Sequence, residues 1–393
     1  MEIPAKNSKV QSGARARNIL FTLLLFIVVL AFASFAYLKS INVNIESIKM
    51  SELLSGAAFK SSVREDVVRR LELSYDYKEN AVFGIYGDYL VKCSSAGIAA
   101  YNKKGEQVWS RDIALSNPIL RTNGDQMLAA NVGGREICLI GRDAVIWSLK
   151  TDGDILSASL SESGHAAIVI QSQGHRGKVM VLDPLGIEMF TRNIAERFVY
   201  DAKISPRGKQ VLINSVDTSA GFASTSIEFT DMQGNPFAAR IPREDELFPL
   251  VRYMDEEGLL AVGNNYVVYY DKNREEKWSR EIPGIYSSCI AGNKYGIIAS
   301  EGEKGLSRVS EVQVVDSRGK TVSKFQVRDA IVSLNATGSV IAVNTGREAL
   351  FYTLNGKLLG SQAMKSDILA VDFFNNREAA IISKSSVDII SLN

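Results

Sequence analysis

Chemistry in this chain would need a nucleophile beside a base, a converging set of metal ligands, or a loop that cradles phosphate. The residues offer one spelling of each. Gly319-Lys320-Thr321 spells the end of a phosphate-binding loop, in which backbone amides and a lysine hold phosphate oxygens. Val314, however, stands where such a loop needs its first glycine. Ser317 and Lys320 have the Ser-x-x-Lys spacing at which a lysine one helical turn away activates a serine. Both spellings fall in Ser317-Arg318-Gly319-Lys320, which reads as a turn between two β-strands. A phosphate loop needs strand–loop–helix and the serine needs a helix start, so neither set is positioned to react. The histidines are His165 and His175. The first follows a turn at a strand start and the second sits in a loop, on opposite ends of one repeat, where they cannot converge on zinc. Cys93, Cys138 and Cys289 lie apart in apolar runs without a Cys-x-x-Cys, which excludes a disulfide scaffold and reads as buried thiols. We expect no catalytic residue, no metal site and no cofactor.

The elements that must position these residues are strands. Residues 101–113, YNKKGEQVWSRDI, return as 270–282, YDKNREEKWSREI, with Arg274 for Gly105 and Trp278 for Trp109. A phrase repeated along a chain marks a repeated supersecondary unit. One turn family, opened mostly by Asp or Asn and closed mostly by Gly, recurs at 102–105, 141–143, 183–186, 231–234, 271–274, 316–319 and 354–356. Asp and Asn bond the backbone ahead of them, and Gly tolerates positive φ. Four residues past such turns stand Trp109, Trp147, Phe190 and Trp278. A second family, SESG, SPRG and NATG at 161–164, 205–208 and 335–338, precedes the apolar runs AAIVI, QVLIN and VIAVN.

Four short strands per ~40–45 residues is the period of a β-propeller blade. With strands a to d in each, blades fall at about 81–113, 118–149, 155–193, 199–241, 247–282, 285–327 and 330–362. Residues 367–393 hold three strands, and 67–73 (VVRRLEL) is a strand without a blade. Pairing the two closes the ring and removes the open edge. The fold class is all-β, an eight-bladed propeller, or seven-bladed if one unit is misread.

Residues 1–18 carry Lys6, Lys9, Arg15 and Arg17 against Glu2 and precede ILFTLLLFIVVLAFASFAYL at 19–38, which holds no charge. Twenty helical residues at ~1.5 Å each span the ~30 Å hydrocarbon layer. The basic flank places 1–18 in the cytoplasm and the remainder outside. A cleaved signal peptide is the alternative, but the apolar run exceeds a usual signal core. The expected organisation is a cytoplasmic tail at 1–18, a transmembrane helix at 19–38, a stem at 39–66, and a propeller at 67–393 closed by 67–73. Lys plus Arg number 45 and Asp plus Glu 44, a net charge of +1, which leaves no basic field for nucleic acid.

GEQVW and REEKW resemble the repeat of quinoprotein-type (PQQ-like) propellers, a repeat type shared with the lipoprotein propeller of the outer-membrane assembly machine. The SPRG turn and its apolar strand resemble WD-repeat and Tol-type propellers. A basic tail, one span and a propeller together resemble a bacterial single-span, membrane-anchored propeller family of unknown function, domain-of-unknown-function family 5711. The resemblance implies fold and location, not activity.

Function is expected where the repeats disagree. In a propeller the b–c and d–a loops share one rim, and three b–c loops are long: 171–178, 215–226 and 301–310. Long loops on a rigid scaffold are where binding concentrates. Phe222 is the candidate aromatic anchor, and Arg176, Lys178, Lys304, Arg308 and Arg347 would add positive charge on the same rim. The expected function is a non-catalytic binding or scaffold protein of the cell envelope. It would be held in the membrane through 19–38 and bind envelope proteins or an anionic envelope polymer. The alternative is an extracytoplasmic propeller enzyme, quinoprotein-like or glycan-active.

Overall fold

The computed structural model describes residues 67–142, 144–255, 257–302 and 309–392. The expected tail, span and stem lie outside them, and no helix among the described residues is long and apolar enough to cross a membrane. From Val68 onward the described chain forms 32 strands, paired antiparallel in eight four-stranded sheets. Seven sheets are contiguous in sequence: 82–111, 118–150, 155–194, 198–240, 250–281, 285–327 and 333–363 are blades one to seven. The eighth takes Ile368–Asn375, Glu378–Ser383 and Ser386–Ser391 from the end of the chain and Val68–Ser74 as its outer strand. The molecule is an eight-bladed β-propeller.

Period-two patterning explains the packing. In Ala166–Ile170 every side chain is buried. Ala166, Ile168 and Ile170 join a cluster with blade two, whereas Ala167 and Val169 join one with blade four. A strand apolar at every position therefore covers both faces of its blade. The buried apolar side chains described fall into eight clusters, each across one seam between neighbouring blades. The seam of blades eight and one, with Ile85 and Leu90 against Ala380, Ile382 and Val387, is the one that shuts the ring. Val68–Ser74 runs antiparallel to Ser386–Ser391, and Arg69 of the former pairs with Asp388 of the latter at 2.7 Å.

The c–d turns are one device used repeatedly. Asn102, Asp183, Asp231, Asp271 and Asp316 each accept, through Oδ1, the backbone amides two and four residues ahead. Lys320 thus donates its amide to Asp316 inside a hairpin, which removes it from phosphate-loop chemistry. Gly186 (φ +82) closes such a turn, and a Cβ there would lie 2.6 Å from Trp147 Cγ of the preceding blade. The same glycine-on-aromatic contact recurs as Gly234 on Phe190, Gly319 on Trp278 and Gly356 on Phe325. The recurring aromatic is therefore a lid on the next blade's turn.

One seam solves the problem differently. In blade four the aromatic position holds Ala238, paired with Phe229. In blade five the glycine position holds Arg274, at φ 66 and only 2 % exposed. The guanidinium lies 4.5 Å from the Phe229 ring and donates to the Glu257 carbonyl at 2.5 Å. The arginine fills from the turn side what a tryptophan fills elsewhere from the strand side.

Candidate functional site

The b–c and d–a rim carries the described residues that the sequence singled out. Phe222 lies between Ser215-containing strand Gln210–Asp217 and Ser224–Asp231, and is 44 % exposed. The pairing Asp217↔Ser224 shortens the expected loop at 215–226 to 218–223. Arg176 Nη1 donates to the Glu196 carbonyl at 3.3 Å, and its guanidinium stacks 4.7 Å from the Phe198 ring. Arg347 pairs with Asp367 at 3.1 Å and stays largely exposed. Lys178 departs from the expected picture: it is the second residue of the strand Gly177–Leu182, is buried, and its ammonium is neutralised by Asp152. It adds no free positive charge to the rim. Lys304 and Arg308 lie outside the described residues. His165 and His175 are separate, the first bonded to Ser163 Oγ at 3.0 Å and the second next to the Gln173 carbonyl at 3.4 Å.

Blade four adds apolar surface to this rim. Phe198 opens its innermost strand, Phe222 tips its b–c hairpin, and Ile241 and Leu247 lie in the loop leading to blade five; all four are exposed. That loop is fixed on the same blade, because the Phe248 amide donates to Thr225 Oγ1 at 2.8 Å and the Thr225 amide to the Glu246 carbonyl at 3.3 Å. Leu247 thus stands exposed within a braced segment, and rigidly held apolar side chains are how contact anchors are presented.

The central channel holds a second constellation, which the sequence reading missed. A cavity of about 410 Å³ is lined by the innermost strands of blades two to five and by Asn293 of blade six. Arg121, Ser159, Lys203 and Arg252 pair with Leu128, Ala167, Leu212 and Leu260. These partners all stand on second strands, so the four residues hold one ladder position in four consecutive blades. Lys203 is buried and forms an ion pair with Asp201, whose Oδ1 also accepts from Ser157 Oγ at 3.4 Å. Burial, then the charges of Arg252 and Arg121, hold the Lys203 ammonium well below its usual range. Arg121 donates to its neighbour's carbonyl, Leu120 O, at 3.0 Å. Arg252 has no hydrogen-bond or ion-pair partner among the described residues. Glu162 also borders the cavity and accepts from Asn293 at 2.9 Å. The remaining charge on an innermost strand, Asp372, accepts the Ile85 amide at 3.3 Å across the closing seam, and burial raises its pKa.

Residues 64–392 match the model of DUF5711, a family of unknown function. No curated protein sequence matches the chain. Among solved structures the chain is similar to BamB from Moraxella catarrhalis, at 13% identity and TM-score 0.56, over 83% of this chain and 99% of that one. It is similar also to the C-terminal WD40 domain of Sif2, at 11% identity and TM-score 0.62, over 84% and 99%. A third similar structure is the β-propeller domain of Myceliophteria thermophila Cps50 (Swd1), at 12% identity and TM-score 0.52, over 83% and 100%. At these identities the likeness is one of fold.

Proposed function

The chain belongs to DUF5711, a family of unknown function, and we propose that it is a membrane-anchored, extracytoplasmic propeller that serves the cell envelope as a non-catalytic binding platform. The observation that carries this reading is the apolar surface on the rim of blade four. Phe198, Phe222, Ile241 and Leu247 are exposed there on elements braced by Thr225 and by the Arg176–Phe198 stack. Such a surface suits a folded protein partner, which would bury it. It suits an anionic polymer less well, because Arg176 and Arg347 are already engaged by Phe198 and Asp367 and Lys178 by Asp152. The uncharged run at 19–38, preceded by four basic residues, supports the anchor and its orientation.

Two measurements test the reading. A phosphatase reporter fused after Asn393 is expected to be active, as it is only outside the cytoplasm; an inactive but stable fusion overturns the location. A photo-crosslinking residue at Phe222 is expected to capture one protein in intact membranes, with capture lost in a Phe198→Ala, Leu247→Ala background. Equal capture in that background, or equal capture from a site at Val108 on the outer strand of blade one, overturns the rim as the binding face.

A further inference from the structure

We infer that the channel cavity is a binding site for a small dianionic oxyanion ligand, one bearing a phosphate or two carboxylates, held between the Arg121 and Arg252 guanidinium groups beside the Lys203–Asp201 pair. This goes beyond the rim platform and stands independently of it.

The ring itself needs no cation at this ladder position. At the ladder position that carries Arg121, Lys203 and Arg252 in blades two, four and five, blade three carries Ser159 and blade six carries Cys289, which pairs with Ile297. A small uncharged residue therefore satisfies the fold there. Three cations around one cavity repel one another, and Arg121 and Lys203 both feel the charge of Arg252. Inside the ring that repulsion is only partly screened. Asp201 neutralises Lys203, and Glu162 at the edge is engaged by Asn293. The two guanidinium groups keep free donors, since Arg121 spends one nitrogen on a backbone carbonyl and Arg252 none on any described residue. Both are exposed to the water of the channel, so a ligand can reach them. A guanidinium presents a planar fork that matches carboxylate and phosphate oxygens two at a time. Two such forks around a cavity of about 410 Å³ fit a ligand of small-molecule size with two negative charges. Thr122 also lines the cavity and supplies a hydroxyl group, whereas the Ser157 and Tyr200 hydroxyls there donate to Asp201 and to the Phe248 carbonyl.

The test uses the purified full chain, titrated calorimetrically at constant ionic strength with inorganic phosphate, with succinate and with chloride. Saturable binding at one site per chain is expected for phosphate or succinate and not for chloride. The anion that saturates identifies phosphate or dicarboxylate as the ligand class. Arg121→Gln and Arg252→Gln should each weaken binding roughly ten- to hundredfold, the loss expected with a charge-assisted hydrogen-bonding group. Their unliganded melting temperatures should equal or exceed the parent's, because a repelling charge has gone. Arg252→Lys, which keeps charge and loses the fork, should bind between the parent and the glutamine variant. Absence of saturation by either oxyanion overturns the inference, as does undiminished binding in the folded double glutamine variant. Failure of the rim experiments leaves this result untouched.

Discussion

At the c–d turns of blades three to six stand Asp183, Asp231, Asp271 and Asp316, each accepting the same two backbone amides. At one ladder position on the innermost strands of blades two to five stand Arg121, Ser159, Lys203 and Arg252. The outer turn repeats its residue because these blades face the same local problem, a tight hairpin, which in blades three, four and six is covered by the neighbour's aromatic. The inner strand varies its residue because the channel imposes no packing demand there. Agreement between blades thus marks what holds the ring, and disagreement marks what the ring can hold. The Ala238–Arg274 exchange tests the rule from within, since the residues differ there yet the volume is conserved.

The closing strand should give the largest effect on the outer side of this comparison. Deleting 68–74 removes the partner of Ser386–Ser391 and exposes the edge of blade eight. The expected result is loss of cooperative thermal unfolding and aggregation; a variant that melts like the parent would show that the ring is held without it. Next is the exchanged seam. Arg274→Gly should cost about 3 kcal/mol in denaturant unfolding, from lost cation–π and hydrogen-bonding contacts and the space left behind. Ala238→Phe added to Arg274→Gly should restore most of it, because it rebuilds the contact of the other blades; strict additivity of the two changes would sink the exchange. Smaller again is Gly186→Ala, at about 2 kcal/mol, since a Cβ 2.6 Å from Trp147 at positive φ forces the ring aside. An alanine at Gly174, also at positive φ (+80) but with nothing within 4 Å, should cost less, which separates backbone strain from the packing contact.

The outer half of the molecule was legible in the chain for the same reason that it repeats. Asp or Asn, then Gly, then a large aromatic four residues on is a local pattern, and a single sequence displays it several times. Counting it with its looser versions gives seven blades, and the eighth follows from pairing 67–73 with the three strands of 367–393. The inner half was hidden because its signal lies across blades. Arg121 sits in PILRT, Lys203 in FVYDAKI and Arg252 in LVRYM, each alone an ordinary charge in an apolar strand. Only the ladder pairing puts them at one position around one cavity. Lys178 went the other way, reading as loop charge while the strand register buries it on Asp152. Arg274 was visible as a replacement for Gly105 of the first repeat, but the space that accepts it belongs to Phe229 and Ala238 of another blade.

The smallest predicted effect separates the two regions by the pH window in which each titrates. Outside, Asp231 has its pKa lowered by the Asn235 side chain and by backbone amides. A depressed carboxylate contributes stability above its unfolded value of about 4, and loses it as pH falls through the folded value. In the channel, burial and two arginines lower the pKa of Lys203. A depressed ammonium is charged at a cost in the folded state. Stability from this group is therefore full above its unfolded value of about 10.4 and falls with pH until the folded value is passed. The groups facing it are Asp201, Arg121 and Arg252, with Glu162 at the cavity edge. The cysteines oppose this trend, since burial raises Cys93 to about 12, Cys138 to about 11 and Cys289 to about 12, and raised thiols lose stability as pH climbs. The informative quantity is therefore the difference between parent and Lys203→Met, measured by denaturant unfolding from neutrality to about pH 10. The parent should gain on the variant as pH rises, Arg252→Gln should shift that gain toward higher pH, and Asp231→Asn should leave it unchanged while flattening the acid limb. Parallel alkaline profiles for parent and Lys203→Met would mean that the channel cations do not burden the ring, and the contrast between outer turn and inner strand would then rest on geometry alone.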